Sequence, residues 1–254
     1  MSTLNFKNNK LKLAIFFLTL YPLGVYIIWK QHYSRSMKII YTILGLPVFF
    51  IIYTYLAIVM AGSVLPELDP YTNPHLDRTV WNEEGNYSCT FVKTRNETEG
   101  AYELMRVGVE PKGGNWWHYH TTFDETFTVV QGELTVETEG KKQIIRKGDS
   151  TVVYKKNLHQ FYNTSDSITI VLVRVTPAAG LEKTIRIAYG LINKGELSRD
   201  NATANPWHLF LLGCYSNSYP PSFLPTWMQE PFFDGLAKIA QWKGEDKALE
   251  VYFK

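Results

Sequence analysis

Several things are scarce in this chain, and each scarcity narrows what it can be. There are two cysteines in 254 residues, Cys89 and Cys214. Two thiols cannot build a disulfide framework, and their separation is not that of a metal-binding knuckle. One bridge and two unpaired buried thiols both stay open. There is no excess of charge: 26 basic residues stand against 24 acidic ones, a net charge of +2. That balance gives no reason to expect nucleic acid as a partner. No internal repeat and no low-complexity segment is present.

The most telling absence is local. Ile39 to Leu65, about 27 residues, contains no charged side chain, whereas about 20 residues span the hydrocarbon core of a bilayer. Pro47 interrupts the run, which a bilayer helix tolerates better than a soluble one. A membrane helix is therefore expected. Leu13 to Trp29 is a second apolar run, broken near its middle by Tyr21-Pro22-Leu23-Gly24. It reads as a short crossing helix or, equally, as a re-entrant or interfacial segment.

Lys7, Lys10 and Lys12 precede the first run, and Lys30, Arg35 and Lys38 lie between the two. If both runs cross, the basic residues divide almost evenly. If only the second crosses, all six cations stay in the cytoplasm and the rest of the chain lies outside it. The latter orientation is the expectation. A cleaved leader would leave the longer run unexplained.

Beyond residue 65 the composition turns polar, and from Asn86 apolar residues recur with a period of two. Strands are expected near Tyr87–Phe91, Tyr102–Val109, Asp124–Val130, Glu133–Glu139, Gln143–Arg146, Thr151–Tyr154 and Ile168–Val175. Glycine-bearing turns separate several of them. Many short strands indicate a mainly β sandwich or barrel rather than alternating strands and helices. Alternation puts Glu125, Phe127 and Val129 on one face, inward, so Glu125 needs a partner. After Thr176-Pro177 the pattern becomes helical. Leu181–Leu197 is expected as an amphipathic helix with Ile185, Ala188, Leu191 and Ile192 on one side. Helices are also expected at Trp207–Cys214 and Phe232–Trp242, with an ordered loop at Ser216–Pro225.

Chemistry concentrates in one constellation. His118 and His120 are two apart, so both imidazoles share a strand face. Glu125 follows on the next strand, and His159 joins only if the chain folds back. Three imidazoles and a carboxylate suit a first-row divalent metal, with positions left open for substrate, water or dioxygen. The alternative is ordinary structural histidines. It is weakened because three of the six histidines fall into this pattern, while His32, His75 and His208 do not.

The spacing His118-x-His120, four residues, Glu125, six residues, Gly132 resembles the first motif of the cupin superfamily. Gly148, His159 and Asn163 resemble the second. The glycine that precedes the first histidine in the family is one residue nearer here, at Gly113. The proline and glycine of the second motif are replaced by Tyr154 and Lys156, so a different loop before His159 is expected. The resemblance covers about Tyr87 to Pro177. It implies a cupin double-stranded β-helix, a jelly-roll barrel, with His118, His120, Glu125 and His159 as metal ligands. It also implies a metal drawn from manganese, iron, zinc, nickel, copper and cobalt, and a homodimer.

The organisation expected is membrane segments within 1–65 (13–29 and 39–65), a linker at 66–85, the barrel at 86–177 and a helical extension at 178–254. A metal-dependent enzyme of dioxygenase, isomerase or lyase type, acting on a small organic molecule, is one function that fits. A ligand-binding or sensing module is a second, and a structural barrel a third. Phe127 and Phe161 share parity with the ligands and are candidates for lining a pocket. Trp117 and Tyr119 have the opposite parity. Glu103 and Arg106 are candidate acid–base groups without a motif. Of the sequons at Asn86, Asn96, Asn163 and Asn201, the one at Asn163 is expected inside the barrel, where a glycan would not fit.

Overall fold

The computed structural model describes residues 21–198 and 205–254. The chain divides into two compact units, Met1–Ser63 and Val64–Lys254.

In the first unit, α1 (Tyr21–Lys30) and α2 (Arg35–Val64) are helical. The Tyr21–Gly24 stretch, expected to break its run, lies inside α1. Within the described residues α1 covers ten residues, about 15 Å. The earlier part of that run lies outside the described residues. Among the described residues one helix, α2, is long and apolar enough to cross, where the sequence reading allowed for two. Its thirty residues give about 45 Å. Only 6% of its most apolar window is buried, and Ile51 and Val64 are 70% and 76% exposed. A helix built to fill a protein core would hide these side chains. The two helices meet where the Tyr21 hydroxyl donates to the Thr42 carbonyl at 2.8 Å and Tyr21 packs on Phe49.

The second unit is a jelly-roll β-sandwich with helices against it. Its strands are β1 (Thr79–Asn82), β2 (Tyr87–Lys93), β3 (Glu103–Val109), β4 (Tyr119–His120), β5 (Asp124–Gln131), β6 (Glu133–Thr138), β7 (Lys141–Arg146), β8 (Ser150–Val153), β9 (His159–Tyr162), β10 (Thr169–Thr176) and β11 (Ser218–Tyr219). One antiparallel sheet runs β1-β2-β3-β10-β5-β8. A second runs β7-β6-β9, and β11 pairs with β4. Between the sheets lie Cys89, Met105, Val107, Phe127, Val129, Leu134, Val136, Ile145, Phe161 and Val173. Each fully buried Leu, Val or Phe contributes about 1.5–3 kcal/mol. The alternation along β5 is as the period of two requires: Glu125, Phe127 and Val129 are all buried.

Three strands, β1, β9 and β11, lie outside those expected. β1 falls in the stretch read as a linker, pairing Thr79↔Thr90 through Asn82↔Tyr87. Its exposed edge position leaves it with a mixed burial pattern, which is why no clean alternation marks it. β11 lies in the loop expected at Ser216–Pro225. It is held by Ser218↔His120 and Tyr219↔Tyr119, partners about a hundred residues earlier in sequence. Both cysteines are free thiols, and Cys89 is buried.

Three helices follow the sandwich: α3 (Leu181–Asn193), α4 (Pro206–Tyr215) and α5 (Thr226–Lys243). α5 begins six residues before the expected Phe232 and carries Pro231 inside it. The proline deprives the Trp227 carbonyl of its helical donor. Trp227 is 73% exposed, so water can satisfy that group and the helix continues. α3 does not have a single apolar side. Ile185, Ala188 and Ile192 pack on the sandwich core, whereas Ile187 and Leu191 belong to a second core with Leu211, Ala237, Ala240 and Leu249. Ala188 and Ile192 touch this second core as well, so of the side first assigned Ile185 packs on the sandwich alone and Leu191 on the second core alone. α3 is the shared wall between two cores.

Candidate metal centre and the chamber above it

Local structure aims four side chains at one point. β4 carries His120, β5 carries Glu125 and β9 carries His159. His118 sits just before β4 and is bridged to His159 by reciprocal backbone bonds, 3.0 Å from the His118 N–H and 2.9 Å from the His159 N–H. Ligand atoms of His118, Glu125 and His159 lie within 4.8 Å of one another. His120 Nε2 stands 3.4 Å from Glu125 Oε2, and His159 Nε2 is 3.1 Å from the same oxygen. The structure thus gathers all four residues, with His118, Glu125 and His159 forming the tighter group.

The outer nitrogens of two rings are already committed. His118 Nδ1 is 2.9 Å from the Trp116 carbonyl and His159 Nδ1 is 3.0 Å from the Asn157 carbonyl. Each carbonyl can take an N–H, so that with a cation bound Nε2 would present its lone pair inwards; without one, His159 Nε2 faces Glu125 Oε2. His120 is fully buried and stacked on Phe123 at 4.0 Å. Its Nδ1 has no hydrogen-bond partner among the described residues, and its Nε2 meets only the Glu125 carboxylate, at a long 3.4 Å. A nitrogen so poorly satisfied at full burial is rare in folded proteins, and a cation beside Nε2 would satisfy it.

Burial dominates the electrostatics. It depresses His118 to about 3, aided by neighbouring His159, so the ring is neutral near pH 7. A neutral imidazole is the form that ligates metals. For Glu125 burial pushes upwards, but the adjoining His120 and His159 outweigh it and hold the carboxyl below its usual range. The site therefore combines a neutral His118 ring with one ionised oxygen donor.

The loop before His159 turns sharply at Lys156. Lys156, at the place of the glycine in the second motif, has φ +72°. Its N–H donates to the His120 carbonyl at 2.7 Å, tying the loop to a site residue. Lys112, one residue before Gly113, has φ +64°. Both lysines adopt the left-handed conformation that a glycine would adopt without strain.

Residues 105–175 match the family model for the cupin domain. The β-sandwich is a cupin domain. An uncharacterised protein from Aquifex aeolicus (strain VF5) is 28% identical over 112 residues, 44% of this chain and 89% of the relative. Among solved structures, KdgF from Halomonas sp. is 20% identical. It covers 42% of this chain and 94% of its own, with a TM-score of 0.35. A sugar phosphate isomerase of the cupin superfamily from Silicibacter pomeroyi is 22% identical, covering 45% and 77%, with a TM-score of 0.34.

Above the four residues the cupin domain encloses a chamber of about 150 Å³, lined by His118 and Glu125 together with Met105, Phe127, Phe161 and Val173. Its roof is α3, through Leu181, Thr184, Ile185, Ala188 and Tyr189. Phe127 and Phe161 therefore line it, as their parity indicated. Trp117 lines an adjoining cavity instead. Tyr119 points the other way, its hydroxyl donating to Gln229 of α5 at 2.8 Å.

Neither candidate acid–base group serves the site. Arg106 is exposed on β3. Glu103 is buried and accepts the N–H groups of Ala179, Gly180, Leu181 and Glu182 at 2.9 to 3.3 Å. Its carboxylate closes the N-terminus of α3, where free N–H groups and the helix dipole favour an anion. Tyr189 of α3 and Tyr87 of β2 also line the chamber, with rings 5.4 Å apart. Burial pushes Tyr87 up to about 12 and Tyr189 well above the tyrosine range. Both hydroxyls are therefore neutral donors near pH 7. Sequence reasoning placed Tyr87 on a strand without a role and missed Tyr189, because no pattern in one chain reports which helix will roof a sandwich. His32 and His75 are exposed. His208 is buried beside Asn205, away from the site.

Proposed function

We propose that this chain is a membrane-anchored, metal-dependent cupin enzyme acting on a small organic molecule. His118, His120, Glu125 and His159 would hold the metal. The observation that carries this reading is the donor set itself. Backbone carbonyls can aim two Nε2 lone pairs at a cation, a third ring has no hydrogen-bonding partner beyond Glu125 among the described residues, and one carboxylate is ionised. Two of the four, His118 and Glu125, line a chamber large enough for a small ligand. A first-row divalent cation bound there would supply Lewis acidity and open coordination positions. The chain's own part is to keep His118 neutral, to balance charge with Glu125, to exclude water under α3 and to offer the Tyr87 and Tyr189 hydroxyls to a bound oxygen. The chamber favours this reading over a structural barrel, since a metal serving only stability needs no cavity beside it. A closed double-stranded β-helix is the form of sandwich this reading expects.

For anchoring, α2 is the crossing helix, with Lys30, Arg35 and Lys38 on the cytoplasmic side and the cupin domain outside. The metal reading is tested by elemental mass spectrometry on the full chain purified in lipid nanodiscs, beside His118→Ala and Glu125→Ala. Near-stoichiometric iron, manganese, zinc, nickel, copper or cobalt is expected, reduced in both variants while circular dichroism stays unchanged. A folded parent that takes up none of these metals after reconstitution would overturn it.

A further inference from the structure

The chamber does not end at α3. A second cavity of about 300 Å³ adjoins it, and Tyr87, Asn115, His118, Thr184, Ala188 and Tyr189 line both. The outer cavity is walled by Trp116, Trp117, Leu209, Phe210, Tyr219 and Phe233. Most of that wall comes from α4, α5 and the segment around β11, which lie outside the residues matched by the family model.

Chemistry, more than size, limits the occupant. Among the described lining residues neither cavity contains a lysine or arginine. A bound cation could meet one oxygen of a phosphate or polycarboxylate, but the rest of its charge would be desolvated without the lysine or arginine that normally compensates it. The polar groups of the walls are largely occupied. Asn115 Oδ1 accepts from the Phe161 N–H at 2.7 Å. The Thr184 hydroxyl donates to the Leu212 carbonyl at 3.3 Å and that of Ser218 to the Ser216 carbonyl at 3.4 Å. A sugar, with a hydroxyl on nearly every carbon, would find too few partners. Apolar cavities of about 150 Å³ do take up a benzene-sized ring.

We infer that the site takes an uncharged, ring-bearing molecule with an oxygen donor at one end, such as a substituted phenol. Its ring lies in the inner chamber and its apolar substituent in the outer cavity built by the C-terminal helices. This rests on the metal reading for where the oxygen points, but the apolar fit stands on the cavities themselves. The extension is therefore part of the binding site, and Ala188, at the junction of the two cavities, is a specificity-determining residue.

The test uses the full chain in nanodiscs, loaded with cobalt(II), with metal content measured in every sample. Phenol, 4-phenylphenol, glucose 6-phosphate and oxalate are titrated by calorimetry and by the cobalt absorption bands. The expected result is that 4-phenylphenol binds at least about tenfold more tightly than phenol, while the two anions bind weakly or not at all. Ala188→Leu, which narrows the junction, should weaken 4-phenylphenol about tenfold more than it weakens phenol and leave cobalt content near the parent. Phe210→Ala gives a second variant that enlarges the outer cavity without crowding α3, and it should lower the preference for 4-phenylphenol. Tight binding of either anion with no heat from the phenols would overturn the inference. So would a preference for 4-phenylphenol unchanged in both variants. If cobalt is not retained but the phenols still bind with this pattern, the metal reading fails and the ligand class stands.

Discussion

At the scale of single residues, two lysines replace glycines at turns and still hold left-handed backbone. Lys156 is exposed, with φ +72°, so removing its side chain loses little packing. Glycine relieves about 1–2 kcal/mol of left-handed strain, partly offset by its greater freedom in the unfolded chain. Lys156→Gly is expected to stabilise the protein by about 0.5–1 kcal/mol, seen as a higher denaturation midpoint in urea. A lower midpoint would refute the strain account. A second residue-scale prediction concerns Glu97, which pairs with Arg78 at 2.8 Å and 2.9 Å. The Arg78 hydrogen bond, helped by the Thr94 backbone, lowers its carboxyl to about 2. A depressed carboxylate stabilises above its unfolded value of about 4.5, and that stability disappears as pH falls towards 2. The pair is solvent-screened, so Glu97→Gln should cost no more than about 1 kcal/mol at pH 7. The difference from the parent should shrink below pH 4.5 and vanish only as pH falls through about 2, with denaturant melts at each pH as the readout.

At the scale of elements, α3 is the piece on which the site depends, because it roofs the chamber and joins two cores. Its N-terminus is held by Glu103, whose carboxylate accepts four backbone N–H groups. Glu103→Ala leaves them buried without that acceptor and should cost about 3 kcal/mol, measured by urea denaturation. A loss under about 1 kcal/mol would mean that the cap is dispensable. The other end of α3 rests on the C-terminal 3-10 segment. A Cβ on Gly190 would come within 2.2 Å of the Tyr252 ring. Gly190→Ala is therefore expected to displace Tyr252 and lower stability by about 1–3 kcal/mol. Faster hydrogen exchange in Glu245–Tyr252 would be its signature, and unchanged exchange there would count against the contact.

At the scale of the whole molecule, a bound metal adds stability because it binds the folded state alone. At a hundred times its dissociation constant it contributes about 2.7 kcal/mol. Chelation should lower the melting temperature by about 5–10 °C in the parent and leave Glu125→Ala unmoved. Equal shifts in the two would place the metal elsewhere. α2 exposes its apolar side chains along its length, so the full chain should stay with the membrane pellet through alkaline carbonate extraction. Release into the supernatant would rule out a spanning helix.

The sequence by itself determined the cupin pattern, the apolar helix and most strands, because each is written in local spacing. A period of two sets which face a side chain takes, as along Glu125, Phe127 and Val129, and a charge-free run of such length has few other homes. Tertiary structure alone decided the rest. β1 and β11 are strands only because distant partners hold them, Leu191 turned to a second core because α4 and α5 supply one, and Glu103 became a helix cap rather than an acid. Tyr189 reached the chamber because α3 folds back over it. Each of these depends on contacts between residues far apart in the chain, which local periodicity does not encode.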